Sequence, residues 1–260
     1  MDLQLSGKTA LVTGSTAGIG LAIAQRLATE GADVILNGRT QERVDAAISS
    51  SRTPNLRGIA ADLGTEQGVT QLLSQLPTVD ILINNLGIYQ AKPFEDITDA
   101  DWLRLFEVNV MSGIRLTRAY LPHMRQQNWG RVIFISSESG YHIPAEMIHY
   151  GVTKAAQIAL ARGVAESIAG TAITVNTVLP GPTRSEGVER FVSELAQQQN
   201  VNEAAVEQEF FRKMRPTSLL KRFEEPEEIA SMVAFLSSPL ASGTNGAAVR
   251  VDGGTVKSAW

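Results

Sequence analysis

The chain has 260 residues, of which 43% are hydrophobic and 19% charged, so it can bury a sizeable core and is neither disordered nor fibrous. With 23 basic against 27 acidic residues the net charge is −4, and no run of either sign argues for a nucleic-acid partner. Cysteine is absent, which excludes disulfides, thiolate metal sites and cysteine nucleophiles.

In chain order, short β-branched or Leu-rich runs alternate with amphipathic stretches. The runs are Thr9–Thr13, Asp33–Asn37, Leu56–Ala60, Asp80–Asn84, Arg131–Ser136, Ala172–Val178 and Ala247–Val251, each apolar on both parities, as strands covered on both faces require. Helical spacing appears between them, as in Ile19–Glu30, with Ile19, Ile23, Leu27 and Ala28 on one face, and in Thr153–Ile168. This alternation predicts an α/β fold of the Rossmann type. Its seven-stranded parallel sheet is doubly wound, flanked by helices, and occupies residues 1–260 as a single domain. One stretch breaks the rhythm: Gly181 to Arg222 is too long for a plain connection, which suggests helices of its own at about 183–222 and a role as a lid. No apolar stretch approaches a membrane span and the start lacks the blocks of a signal peptide, so a cytoplasmic location is expected. The three histidines, His123, His142 and His149, have no ligand spacing, and no metal site is expected.

Two motifs carry chemistry. Glycines at 14, 18 and 20 in Thr13-Gly14-Ser15-Thr16-Ala17-Gly18-Ile19-Gly20 fall between a strand and a helix. There they turn the chain tightly, admit a pyrophosphate to the backbone and pack the helix on the sheet. Tyr150 and Lys154 lie four apart on one helix face, where an ammonium favours the phenolate and makes Tyr150 a general acid or base for a carbonyl–alcohol interconversion. Either pattern alone also fits a plain turn or a solvated helix face.

Together the motifs resemble the short-chain dehydrogenase/reductase family, in its one-domain branch of about 250 residues. The resemblance spans the chain: the TGxxxGxG turn, Asp62-Leu63, Asn84-Asn85-Leu86-Gly87, Asn109, Ser137 thirteen residues before Tyr150, Lys154, Pro180-Gly181, and Val251-Asp252-Gly253-Gly254. It implies a catalytic tetrad of Asn109, Ser137, Tyr150 and Lys154. Tyr150 would protonate the carbonyl oxygen as hydride arrives, and Ser137 would donate to that same oxygen. Lys154 would lower the Tyr150 pKa and hold the nicotinamide ribose, while Asn109 would position a water linking Lys154 to solvent. It also implies cofactor contacts from Gly14, Ser15, Thr16, Gly18, Ile19, Gly20, Asp62, Leu63, Asn85, Gly87, Tyr150, Lys154, Pro180, Gly181 and Thr183. Leu86 departs from the family, which usually has Ala there.

At the end of the second strand Gly38 stands where an NAD site places a carboxylate, and Arg39 follows it, so NADP(H) is favoured over NAD(H). The substrate pocket is expected from Ser137, Tyr150, the 139–147 loop, Tyr89 and the long insertion. In that insertion Phe191, Leu195, Phe210, Phe211 and Met214 either form an apolar lid or, for the most part, pack among themselves. Arg184, Arg190, His142 and His149 are candidates to meet an acidic group. A small-molecule carbonyl or alcohol substrate is implied, with 3-oxoacyl thioesters, sugar-type polyols and cyclic ketones all open. The family's habit implies a homotetramer or homodimer, through roughly Asp99–Gln127 and Thr153–Ile168 and through the C-terminal strand region. A non-catalytic dinucleotide-binding sensor or scaffold is the other reading.

Overall fold

The computed structural model describes residues 1–51 and 53–259, apart from the side chains of Glu186 and Phe191. Seven strands form one parallel sheet: β1 Thr9–Val12, β2 Asp33–Gly38, β3 Leu56–Ala60, β4 Ile81–Asn84, β5 Gly130–Ile135, β6 Ile173–Pro180 and β7 Ala248–Val251. Their order is β3-β2-β1-β4-β5-β6-β7, so the winding reverses between β1 and β4, where Ala10 pairs with Ile81 and Val12 with Ile83. Ligands of such sheets gather outside the strand C-termini at this reversal. The central strands β4, β5 and β6 are buried throughout, whereas the edge strands β3 and β7 are largely half-exposed, having a neighbour on one side only.

Two apolar layers sandwich the sheet. On one face α1 (Gly18–Thr29), α2 (Gln41–Ser50) and α9 (Pro226–Ser237) bury Ile23, Leu27, Ala47, Ile229 and Val233 with Val12, Leu36 and Ile83. On the other α3 (Glu66–Gln75), α5 (Ser112–Gln126) and α6 (Ile148–Ser167) bury Leu72, Leu116, Tyr120 and Ala161 with Leu11, Leu82 and Phe134. Both parities of each central strand are apolar because each face meets helices.

α6 begins five residues ahead of the stretch read from periodicity, so Tyr150 and Lys154 share its first turns. The expected Asp99–Gln127 helix is interrupted. α4 (Asp99–Phe106) and α5 are joined by a π-helical turn, Glu107–Met111, that contains Asn109. Such turns free a carbonyl from the regular helix ladder. The long insertion holds α7 (Glu186–Gln199) and α8 (Glu203–Lys213), which pack into a third, small core of Val192, Ala196, Val206, Phe211 and Phe223.

Candidate active site

The glycine turn between β1 and α1 is held from both neighbouring strands. From β2, the Asn37 Oδ1 accepts from Gly14 N (3.2 Å), while its amide nitrogen donates to Ile59 O and Ala61 O. From β4, the Asn85 Nδ2 donates to Thr13 O and Gly14 O, each at 2.9 Å. Gly20 makes room for that amide, since a Cβ there would lie 2.5 Å from Asn85 Nδ2. Asn85 thus staples the turn, with its amide pointed at the backbone. Asn37 does the same work from β2, a role the sequence did not signal. The N-cap of α1 is Ala17, which offers no side-chain hydrogen bond, and its first turn has no acid. Its leading N–H groups therefore need an acceptor, as a phosphate-binding helix does.

A cleft of about 410 Å³ runs outward from this turn, lined by Gly14, Thr16, Gly38, Arg39, Asp62, Leu86 and Gly87 among others. A Cβ on Gly38 would lie 2.5 Å from Thr16 Cγ2, so no acidic side chain fits there without displacing Thr16. Arg39, Arg43 from α2 and Arg104 from α4 all line the cleft, exposed and outside every ion pair of the described residues. Arg43 follows Arg39 by four positions, whereas Arg104 meets them only in space. Leu86 fills against Gly14, its Cδ1 3.2 Å from where a Cβ would stand, and reshapes this wall. Leu63 is buried in the core, with only its edge at the cleft, while Asp62 is exposed and accepts from Gly64 N. Ser15 is turned inward, its hydroxyl donating to Val12 O.

Along the same C-terminal edge of the sheet, Ser137 follows β5 and Tyr150 and Lys154 belong to α6. Gly87, after β4, brings its backbone within reach of both Lys154 and Asn109: a Cβ on it would lie 3.4 Å from Lys154 Nζ. Lys154 Nζ donates to Ile135 O (2.9 Å) and Gln157 Oε1 (3.2 Å) and lies 5.6 Å from the centre of the Tyr150 ring. The Asn109 side chain grips the main chain of Ile88, accepting from its N–H (2.8 Å) and donating to its carbonyl (2.9 Å). Its own carbonyl accepts from Gln157 Nε2 at 2.6 Å. The Gln157 side chain thus bridges the Asn109 main-chain carbonyl and the Lys154 ammonium.

Burial lowers the Lys154 pKa to about 7, because little solvent reaches the ammonium. Tyr150 moves opposite to the expectation from spacing. Burial chiefly, and then the Glu138 charge, hold the phenol above its ordinary range, against opposing contributions from Ser137 and Arg215. The Lys154 ammonium is turned toward Ile135 O and Gln157, so it does not offset that burial. Tyr89 packs edge-on against Tyr150 with ring centres 6.2 Å apart and approaches Gly187 of α7.

After β6, Gly181 leaves room for the Asp252 backbone, and its N–H donates to both Val251 O (2.8 Å) and Glu224 Oε2 (3.0 Å). Thr183 donates to Gly181 O and pairs with Glu224 through an isolated bridge. Glu224 is buried, and loss of solvent raises its pKa to about 7. In the insertion Phe210, Phe211 and Phe223 stack on one another at 5.0–5.2 Å, with Leu195 against them. These residues pack as a core, Met214 stays exposed, and the Phe191 side chain lies outside the described residues. Arg184 is consumed by Glu207 and Glu225, Arg190 lines a separate surface hollow, and His142 is exposed. His149 is fully buried beside Trp102, and burial lowers its pKa, keeping it neutral. Neither Arg184 nor His149 is free to meet an acidic substrate.

A glycine turn leading into an uncapped helix N-terminus, a cleft and a Ser–Tyr–Lys group on one parallel sheet agree with the comparisons to known proteins. The family model for short chain dehydrogenases matches residues 8–196. The chain belongs to the short-chain dehydrogenase family. An uncharacterized oxidoreductase of Bacillus subtilis, YvaG, is 51% identical over the full length of both chains. The 3-oxoacyl-acyl-carrier-protein reductase of Aquifex aeolicus is 33% identical, covering 97% of this chain and 99% of its own. A crystal structure of L-sorbose reductase from Gluconobacter frateurii, complexed with NADPH and L-sorbose, has a TM-score of 0.92 and 32% identity, covering 99% of this chain and 100% of that one. As a short-chain dehydrogenase the protein is an oxidoreductase with an NAD(P)-binding Rossmann fold. Among its described residues no helix is long and apolar enough to cross a membrane.

Proposed function

We propose that the chain is an NADP(H)-dependent reductase of small carbonyl compounds, reversible as an alcohol dehydrogenase, with Tyr150 as general acid and base. The observation that carries this reading is the convergence of Ser137, Tyr150 and Lys154 near Gly87, at the C-terminal ends of β4 and β5. A sensor or scaffold that only binds a dinucleotide has no use for the serine and the phenol.

The residues present fit NADP(H). The uncapped α1 N-terminus and Gly14, Thr16, Gly18, Ile19 and Gly20 would hold the pyrophosphate. Arg39 and Arg43 would grip a 2′-phosphate, with no carboxylate at Gly38 to repel it; without that acid NAD(H) loses a partner for its 2′-hydroxyl. Asp62 and Gly87 would line the path between, and Pro180, Gly181 and Thr183 would receive the nicotinamide end. When bound, the cofactor supplies or accepts the hydride.

Tyr150, kept protonated by burial, gives its proton to the carbonyl oxygen. Ser137 donates to the same oxygen and stabilises the charge that grows there. Lys154, with a pKa of about 7, carries a readily lost proton beside the Tyr150 ring to restore the phenol. Asn109 fixes the Ile88 backbone and, through Gln157, the Lys154 ammonium. The whole chain then works as one dinucleotide-binding domain, with the α7–α8 hairpin closing over the substrate. Assembly as a homotetramer or homodimer would use the groove of about 330 Å³ between α5 and α6, lined by Leu121, Leu160 and Val164.

The Aquifex relative is named for 3-oxoacyl groups on a carrier protein and the Gluconobacter neighbour was solved with L-sorbose; both imply ketone reduction. The test is Tyr150→Phe against a panel of ketones with NADPH. Turnover should fall about 10²- to 10⁴-fold while NADPH affinity stays within a few fold. Unchanged turnover would refute the assignment.

A further inference from the structure

Beside the catalytic serine lies a carboxylate that neither motif accounts for. Glu138, the residue after Ser137, is buried, and its Oε2 accepts from the Ser137 hydroxyl at 2.5 Å. Its other oxygen accepts from Arg215 Nε at 3.1 Å, and Arg215 also faces Glu146 at 3.6 Å. Arg215 stands just beyond α8, so the carboxylate ties the catalytic serine to the base of the helical insertion. One guanidinium shared by two carboxylates leaves this corner with a net negative charge. A carboxylate buried this deeply is costly unless its oxygens are satisfied, and an ionised carboxylate has capacity for about four donors.

As it stands, the arrangement aims the Ser137 proton at Glu138, the wrong direction for a residue that must donate to a substrate carbonyl. A substrate can reverse this if it brings its own donor. In a ketone with a hydroxyl on the adjacent carbon the two oxygens lie about one hydrogen-bond length apart, matching the spacing of Ser137 Oγ and Glu138 Oε2.

We propose that Glu138, held by Arg215, is the specificity-determining acceptor for the hydroxyl of an α-hydroxy ketone, whose binding releases the Ser137 proton to the carbonyl oxygen. This rests on the reading of Ser137 and Tyr150 given above and names its substrate class. On binding, the substrate hydroxyl donates to Glu138 Oε2 in place of Ser137, and Ser137 turns its hydrogen to the carbonyl oxygen; no covalent bond is made or broken. A ketone without that hydroxyl either leaves Ser137 engaged or leaves the carboxylate one donor short. The net negative charge also selects neutral polyhydroxy compounds over hydroxy acids.

The experiment compares 1-hydroxy-2-butanone with its isostere 3-pentanone in steady-state reduction with NADPH. In parallel, calorimetry measures binding of 1,2-butanediol and 3-pentanol to the NADPH-loaded protein, where no hydride can move. Wild type should prefer the hydroxylated member of each pair about 10- to 100-fold. Glu138→Gln should cut that preference at least fivefold, because an amide oxygen accepts more weakly than a carboxylate. The double variant Glu138→Leu/Arg215→Met, which removes the ion pair without leaving a buried charge, should bring it close to one. A wild-type preference near one in both assays, or a preference that survives both variants, overturns the proposal. Preference in calorimetry without turnover of any ketone would support the hydroxyl site and count against the reductase reading instead.

Discussion

Gln157 Nε2 lies 2.6 Å from the carbonyl oxygen of Asn109, and the same side chain accepts from Lys154 Nζ at 3.2 Å. One buried amide therefore connects the π-helical turn to the Lys154 ammonium. Gln157→Leu leaves the Asn109 carbonyl without its donor and Lys154 without an acceptor, and should destabilise the protein by about 1–3 kcal/mol in urea unfolding. Gln157→Glu sets a carboxylate beside Lys154 and should raise its pKa above 7, moving the pH profile of kcat upward. An unmoved profile in a folded Gln157→Glu protein would disconnect Lys154 from the rate.

Cofactor selection is expected to reside in the exposed arginines rather than in the glycine turn. Arg39→Ala should weaken NADPH binding by about 1.5–3 kcal/mol, read by fluorescence titration, and leave NADH within about threefold. Arg43→Ala should have the same sign and a smaller effect, and added salt should erode NADPH affinity less in both variants than in wild type. Equal NADPH affinity in wild type and Arg39→Ala would remove the phosphate clamp.

Glu224 predicts a pH-dependent stability with a definite sign. Its folded pKa of about 7 lies above the ordinary 4.5, so the folded state holds this proton more tightly. Its contribution is fully present below pH 4.5 and is lost as pH rises toward 7, a change of roughly 3 kcal/mol. Relative to Glu224→Gln, wild type should thus lose stability between pH 4.5 and 7 in urea titrations. A constant difference across that window would show that burial of this carboxyl is fully offset.

The aromatic cluster of the insertion is expected to act as a core of its own. Phe211→Ala deletes a fully enclosed ring of the Phe210–Phe211–Phe223 stack and should cost about 3–5 kcal/mol locally. Hydrogen exchange should then rise in α7 and α8 while the central strands stay protected. Uniform loss of protection across β4, β5 and β6 would mean that the insertion and the sheet unfold together.

The sequence by itself determined the seven strands to within two residues at each end, because central strands of a doubly covered sheet must be apolar on both parities. It also supplied the glycine turn and the Ser137–Tyr150–Lys154 group, since these chemistries need fixed residue types at fixed local spacings. What lies far apart in the chain was decided only by tertiary structure. Asn37 and Asn85 reach the same turn from different strands, and Arg104 joins Arg39 and Arg43 from another helix. Arg215 meets Glu138 across 77 positions. The direction of the Tyr150 pKa belongs to this second group as well. A lysine four residues away argues for lowering it, but burial outweighs that argument, and burial depends on how closely neighbouring elements pack, which no local spacing encodes.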